Sequence, residues 1–83
     1  MPVPRMHSVE SSAVAMIGYD AEVEDAYVKY LDGDLYAYEG VPAEVFQELK
    51  NAESTGTFVN AVIKEYPFRK VGDYMPAGPR RRS

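Results

Sequence analysis

A chain of 83 residues, 46% hydrophobic and 27% charged, has the composition of one small globular domain, which excludes a wholly disordered protein. The absence of cysteine excludes a disulfide framework and a thiolate metal site, and the longest apolar run, Ala13–Ile17, is far too short to cross a bilayer. The formal charge of −4 divides unevenly, since residues 8–65 hold twelve acidic and three basic residues, whereas residues 66–83 hold one acidic and five basic residues. With no signal-peptide pattern near the N-terminus, we expect a cytoplasmic protein that does not contact a membrane.

Three short strands are predicted in the first half of the chain. Residues 1–10 contain two prolines and no periodicity, so they are predicted to form a flexible N-terminal arm. Alternating or β-branched residues then predict strands at Ala13–Tyr19, Asp25–Leu31 and Leu35–Tyr38.

The Asp32-Gly33 turn between the last two strands allows two pairing registers. A two-residue turn would place Tyr36 and Tyr38 on the same face of the sheet as Lys29. A three-residue loop ending in a left-handed Gly33 would instead place both tyrosines beside Val28. We favour the second register, because it leaves Lys29 in water and gathers the apolar side chains.

Two helices are predicted to follow the strands. Val41-Pro42 opens the first, whose apolar stripe includes Val45, Phe46 and Leu49. The second is predicted to run from a cap near Ser54 to Tyr66.

A glycine at position 56, in the first turn of the second helix, suggests a close backbone approach. Residues 72–83 are rich in glycine, proline and arginine and are predicted to be a disordered basic tail. The predicted fold class is therefore α+β, a three-stranded antiparallel β-meander packed against two C-terminal helices in the order β-β-β-α-α.

Short motifs follow one another along the chain at regular spacings: Ser11-Ser12, Ile17-Gly18-Tyr19-Asp20, Val28-x-Tyr30, Gly33, Tyr36-x-Tyr38, Val41-Pro42, Val45-Phe46, Leu49, Ala52-x-Ser54-x-Gly56 and Phe58-x-Asn60-x-x-Ile63-x-x-Tyr66. This ordered set resembles the KTSC domain over residues 11–71. That family is named for a lysyl-tRNA synthetase C-terminal domain and also includes small stand-alone bacterial and phage proteins. The resemblance implies RNA as a partner.

The chain departs from the look of that family at two places. Ala26 opens the second strand where relatives tend to have a larger aliphatic residue, which implies a looser core or room for a partner. The second helix carries Thr57, Ala61 and Val62 where relatives often have basic residues. The second departure weakens the nucleic-acid interpretation for this chain.

Tyr36 and Tyr38 are the first candidate binding residues, since residues two apart on a strand project from the same face. If exposed, their rings would stack nucleobases; if covered by the helices, they would form the floor of the core. Tyr27 and Lys29 are expected on the opposite, solvent-exposed face, either as a small recognition patch or as ordinary surface.

A second candidate group lies at the start of the second helix, where Ser54, Gly56 and Asn60 cluster. Free backbone N–H groups there would hold a phosphate or carboxylate, although ordinary helix capping also explains Ser54. The third candidate group is Arg80, Arg81 and Arg82, which would contact phosphates or serve as a solubility tail.

No catalytic constellation is visible in the sequence. His7 has serines nearby but lies in the predicted flexible arm, where nothing would hold it against a nucleophile. Acidic residues crowd two predicted loops without the spacing of a calcium loop, which favours solvated charge: Glu22, Glu24, Asp25, Asp32 and Asp34. We therefore expect a protein without enzyme activity, cofactor or metal.

The sequence favours a non-catalytic recognition domain with RNA or another nucleic acid as partner. The alternative is a protein–protein interaction module or small regulatory protein that uses its acidic surface.

Overall fold

The structure of the protein is a computed structural model that describes residues 4–73. Within these residues, one antiparallel sheet contains five strands that lie in the same order as in the sequence. The strands are β1 Met6–Ser8, β2 Val14–Asp20, β3 Asp25–Tyr30, β4 Asp34–Glu39 and β5 Phe68–Asp73. Between β4 and β5 the chain forms α1 (Ala43–Asn51), α2 (Thr55–Ala61) and a short 3-10 helix (Ile63–Glu65).

The predicted α+β class is confirmed, but the prediction of three strands is wrong. The two additional strands lie at the edges of the sheet. β1 falls inside the predicted N-terminal arm, and β5 extends into the predicted C-terminal tail at Gly72 and Asp73. The rest of that tail, residues 74–83, lies outside the described residues, and with it Arg80, Arg81 and Arg82.

The hairpin between β3 and β4 adopts the register that the sequence favours. Val28 lies opposite Tyr36 and Ala26 opposite Tyr38, so both tyrosines project from the helix-covered face of the sheet. The loop closes where the Gly33 N–H donates to the carbonyl oxygen of Tyr30 at 2.9 Å. Gly33 has φ +100°, a conformation that a residue with a side chain rarely adopts.

The main core lies between the helices and this face of the sheet. Ile17 and Val28 from the sheet are fully buried in it with Leu49 of α1 and Val59 of α2. A hydrogen bond also ties the sheet to the residues just before α1. The Tyr19 hydroxyl on β2 donates to the carbonyl oxygen of Val41 at 2.6 Å. No helix within residues 4–73 is long and apolar enough to cross a membrane.

The second helix is shorter than predicted. It ends at Ala61, Val62 leaves the helical conformation with φ −121°, and the 3-10 helix replaces the expected last turns. Tyr66 is already extended, with ψ 153°, as the residue before a proline prefers. Gly56 packs against side chains before β2, since an added Cβ would lie 3.3 Å from the Ser11 hydroxyl and 3.6 Å from the Ala13 Cβ.

The opposite face of the sheet has a small cluster of its own, in which Tyr27 packs with Leu35 and Ala37. The expectation that Tyr27 faces solvent is wrong, because only 6% of the residue is exposed. The N-terminal segment helps to cover this face: Gly18 lies opposite Met6 on β1, and a Cβ at Gly18 would lie 2.5 Å from the Met6 sulfur.

Arg69 fastens β5 to the sheet on this same face. Its guanidinium donates to the Asp25 carboxylate of β3 at 3.0 Å and to the Glu39 carboxylate of β4 at 2.9 Å. The Asp25 side chain is only 9% exposed, whereas the Arg69 side chain is 48% exposed. The hydrogen bond to Asp25 is the main cause of a raised pKa at Arg69. An ion pair with one shielded carboxylate stabilises more than a surface pair, because that carboxylate has little water to replace its partner.

We predict that Arg69→Met lowers the free energy of unfolding by about 1–3 kcal/mol, the cost of leaving a shielded carboxylate without its partner. The matched control is Lys70→Met on the same strand, because the Lys70–Asp34 pair is exposed and 3.5 Å long. The control should cost less than about 1 kcal/mol. Urea unfolding of both variants measures the difference, and equal losses would contradict a special role for Arg69.

Candidate aromatic binding site

A cavity of about 430 Å³ opens on the helix-covered face of the sheet, beside the 3-10 helix. We call it the aromatic pocket and define it by seven lining residues: Tyr30, Asp32, Asp34, Tyr36, Tyr38, Lys64 and Phe68. Its volume lies within the range of pockets that bind small molecules or single side chains.

The four aromatic rings form one connected surface. Tyr36 is at the centre, with its ring centroid 5.7 Å from that of Tyr30 and 5.6 Å from that of Phe68. Tyr38 completes the group, with centroids 6.3 Å from Tyr36 and 5.7 Å from Phe68. These distances lie within the range at which aromatic pairs attract, so the rings support one another as a fixed surface.

The exposure of the rings differs across the pocket. Tyr38 is 3% exposed and its hydroxyl lies 2.7 Å from the hydroxyl of Tyr30, so this pair forms the rigid inner wall. Phe68 is 59% exposed at the outer side. A large apolar ring so exposed next to buried aromatic rings is a feature of binding surfaces.

Pairing between strands places each of these side chains. Phe68 lies opposite Tyr38, and Lys70 lies opposite Tyr36, so β5 adds its side chains to the row that β4 begins. The helices cover the β2 side of this face, and the 3-10 helix brings Lys64 to the pocket. The pocket is therefore formed by residues of the hairpin, the 3-10 helix and the edge strand β5.

Charged groups of both signs lie around the rings. Asp32 and Asp34 occupy the hairpin end, where the Asp32 carboxylate accepts from the Asp34 backbone N–H at 3.0 Å. Lys70 lies 3.5 Å from the Asp34 carboxylate. The Lys64 ammonium lies 5.8 Å from the centroid of the Tyr30 ring, within the range of a cation–π interaction.

Burial raises the pKa of the Tyr30 hydroxyl far above its ordinary value of 10, and the hydrogen bond with Tyr38 adds to this effect. Burial also raises the pKa of Tyr38, although the hydrogen bond with Tyr30 acts in the opposite direction. Both hydroxyls therefore stay protonated at neutral pH. A protonated phenol both donates and accepts hydrogen bonds, so the two hydroxyls form a neutral, hydrogen-bonded polar group in the inner wall.

The predicted site residues fall in different places. The structure brings together Tyr36, which is half-buried in the pocket, and Tyr38, which is buried as its wall. Tyr38 therefore belongs to the core, whereas Tyr36 is only half-buried and reaches the cavity.

None of the residues named at the start of α2 lines the aromatic pocket. The Ser54 hydroxyl accepts from the Thr57 N–H at 3.3 Å and donates to the Thr57 hydroxyl at 3.0 Å, which is ordinary capping. Gly56 faces Ser11, and Asn60 is exposed.

Sequence reasoning missed five of the seven lining residues: Tyr30, Asp32, Asp34, Lys64 and Phe68. Asp32 and Asp34 were interpreted as solvated charge in a loop. Tyr30 shares the alternation of Val28 and could have been placed on the correct face once the register was chosen. Phe68 could not be placed, because the strand that carries it was not predicted. Among the described residues, no group of histidine, aspartate and glutamate side chains could hold a metal ion.

We predict that the Tyr30–Tyr38 pair makes the free energy of unfolding fall as the pH rises above about 10. A folded-state pKa above the unfolded value of about 10 stabilises the fold below pH 10, and this contribution is lost as pH rises further. Urea unfolding between pH 8 and pH 12 should show a steeper loss for the wild type than for a Tyr30→Phe, Tyr38→Phe double variant, in which lysine titration is unchanged. Identical pH profiles would contradict the raised pKa of the pair.

Known proteins are similar to this chain over most of its length. The sequence is 46% identical over 59 residues to a protein of Tsukamurella paurometabola, covering 71% of this chain and 88% of that protein. It is 40% identical over 62 residues to an uncharacterized protein of Stutzerimonas stutzeri, covering 75% and 87% of the two chains. The crystal structure of a KTSC domain protein from Yersinia pestis superposes with a TM-score of 0.79 at 33% identity, covering 82% of this chain and 97% of that one. The KTSC domain model matches residues 10–68, and the chain therefore belongs to the KTSC domain family.

Proposed function

We propose that this KTSC domain is a non-catalytic recognition domain that binds a basic segment of a partner protein at the aromatic pocket. One observation carries the proposal: four packed aromatic rings meet two carboxylates at a single cavity on an acidic domain. Aromatic rings contribute much of the binding energy at protein interfaces, and carboxylates at the rim select for cationic partners.

The charge balance supports a basic partner. Residues 4–73 include all thirteen acidic residues of the chain but only six of its nine lysines and arginines, which gives these residues a formal charge of −7. A domain with this charge attracts cationic segments and repels phosphate backbones over a distance of about 8 Å at physiological salt.

Exposed apolar side chains extend the surface next to the pocket. Leu31 is 58% exposed in the hairpin loop, directly before the lining residue Asp32, and Phe68 is 59% exposed on β5. A partner segment crossing the pocket would cover Phe68, and one that continues over the hairpin loop would also reach Leu31. Such apolar contacts supply affinity that surface charges alone do not give.

Single-stranded RNA is the second candidate partner. The half-buried Tyr36 ring and the exposed Phe68 ring could stack a base, and Lys64 and Lys70 lie close enough to meet a phosphate. The kinship with a family named for a synthetase domain points the same way by analogy. The net acidity of the domain opposes it, so we place RNA second.

We predict that a basic peptide binds at the pocket and that Phe68→Ala weakens this binding about 5- to 30-fold, as expected for removal of an exposed aromatic contact of about 1–2 kcal/mol. The probe is a nine-residue peptide of three Gly-Arg-Gly repeats, added to the isotope-labelled domain and followed by the NMR shifts of the Tyr36, Tyr38 and Phe68 amides. The matched control is Val23→Ala, because Val23 is 55% exposed and does not line the pocket.

A decamer of uridylate is titrated in parallel to separate the two partner classes. Saturable shifts at the pocket with the peptide, reduced in Phe68→Ala and unchanged in Val23→Ala, would support the proposal. Shifts with the RNA alone, weakening steeply with salt, would replace the protein partner by nucleic acid. Absence of pocket shifts with both probes would overturn the assignment of the pocket as the binding site.

A further inference from the structure

We infer that the aromatic pocket receives one arginine side chain of the partner, and that Lys64 occupies part of the pocket as a competing internal cation. The inference rests on the proposed binding of a basic segment and adds the identity of the inserted group. It follows from the distribution of charge and aromatic surface inside the cavity.

The two ends of the pocket differ in chemistry. Asp32 and Asp34 lie at the hairpin end, and Phe68 lies at the opposite end, across the register from Tyr38. A ligand that fills the whole cavity must therefore carry a cation at one end and an apolar portion at the other. Arginine and lysine side chains both have this construction.

The shape of the rings favours arginine. A guanidinium is planar, stacks on aromatic faces and donates two parallel hydrogen bonds to a carboxylate, whereas an ammonium is a compact charge that prefers water. The pocket offers both contacts, since Tyr36 lies next to Asp34 in the row of side chains on β4. A cavity of about 430 Å³ also leaves room for the flat group and its stem.

The ion pair that Asp34 makes in the absence of a ligand can be exchanged for one with a partner. Asp34 is paired with Lys70 at 3.5 Å, and the side chains are 53% exposed at Lys70 and 32% exposed at Asp34. Surface pairs of this kind contribute little to stability, so an incoming guanidinium can take the place of Lys70 at little cost.

Lys64 shows that the pocket accepts a cation. Its ammonium lies 5.8 Å from the centre of the Tyr30 ring, and its side chain is exposed on the 3-10 helix. For a cationic ligand, this ammonium is a like charge that competes for the same rings. For a nucleotide, the same ammonium would be an attractive contact. The sign of the effect of removing it therefore distinguishes the two ligand classes.

We predict that Lys64→Met strengthens binding of the Gly-Arg-Gly repeat peptide about two- to fivefold, the gain expected from removing a competing cation–π contact at an exposed site. Asp34→Asn should weaken the same peptide about three- to tenfold. Two matched peptides replace arginine by lysine or by citrulline, which has the shape of arginine without its charge. The lysine peptide should bind at least about threefold more weakly than the arginine peptide, and the citrulline peptide should bind more weakly than the lysine peptide.

All titrations use NMR shifts of the pocket amides, and urea unfolding confirms that each variant is folded. Equal affinity for the arginine and citrulline peptides would overturn the inserted cation while leaving the pocket as the binding site. Weaker peptide binding by Lys64→Met would overturn the role of Lys64. Loss of binding for every peptide, the arginine peptide with wild type included, would be a failure of the proposed function itself.

Discussion

Asp25 and Glu39 lie directly opposite each other on β3 and β4, so their carboxylates repel unless a cation lies between them. Arg69 supplies that cation from β5, at 3.0 Å from one carboxylate and 2.9 Å from the other. The three strands are thereby connected through side chains as well as through backbone hydrogen bonds. Without Arg69, the sheet would keep two adjacent acidic groups that favour separation of its strands.

The aromatic pocket lies on the other face of the sheet but depends on this connection. Adjacent residues on a strand point to opposite faces, so the strand that directs Arg69 to the carboxylates directs Phe68 to the pocket and Lys70 to Asp34 beside it. An edge strand has only one neighbour to hold it, and here β4 is the neighbour. The ion pairs on one face therefore help to fix the position of Phe68 in the pocket on the other face.

The sequence predicted the parts of the fold that follow from local patterns. The alternation in β3 and the turn at Gly33 were sufficient for the hairpin register, and hence for the common face of Tyr36 and Tyr38. β5 was missed because its residues, Phe68–Asp73, have little apolar alternation and follow Pro67, which reads as the end of a helix. β5 is held by its pairing with β4 and by the ion pairs of Arg69 with Asp25 and Glu39, which lie 44 and 30 residues earlier. Such long-range contacts leave no local pattern.

The same limit explains which half of the pocket was predictable. Tyr36 and Tyr38 belong to a local motif, whereas Phe68 and Lys64 reach them only through tertiary structure. Tyr27 was misplaced for a related reason: its alternation correctly assigns it to the face without helices, but alternation cannot show that the N-terminal segment and Arg69 cover that face.

The pocket combines a fixed inner wall with an adjustable rim. Tyr38 is buried and hydrogen-bonded to Tyr30, so the aromatic surface is formed before any ligand arrives. The charged rim consists of exposed side chains whose partners, Lys70 for Asp34 and the Tyr30 ring for Lys64, are weakly held. A preformed surface reduces the entropy lost on binding. A cation that took the place of Lys70 at Asp34 would release the exposed Lys70 ammonium to water, which costs little. This division between wall and rim is the arrangement that the proposed binding of a flat cation requires.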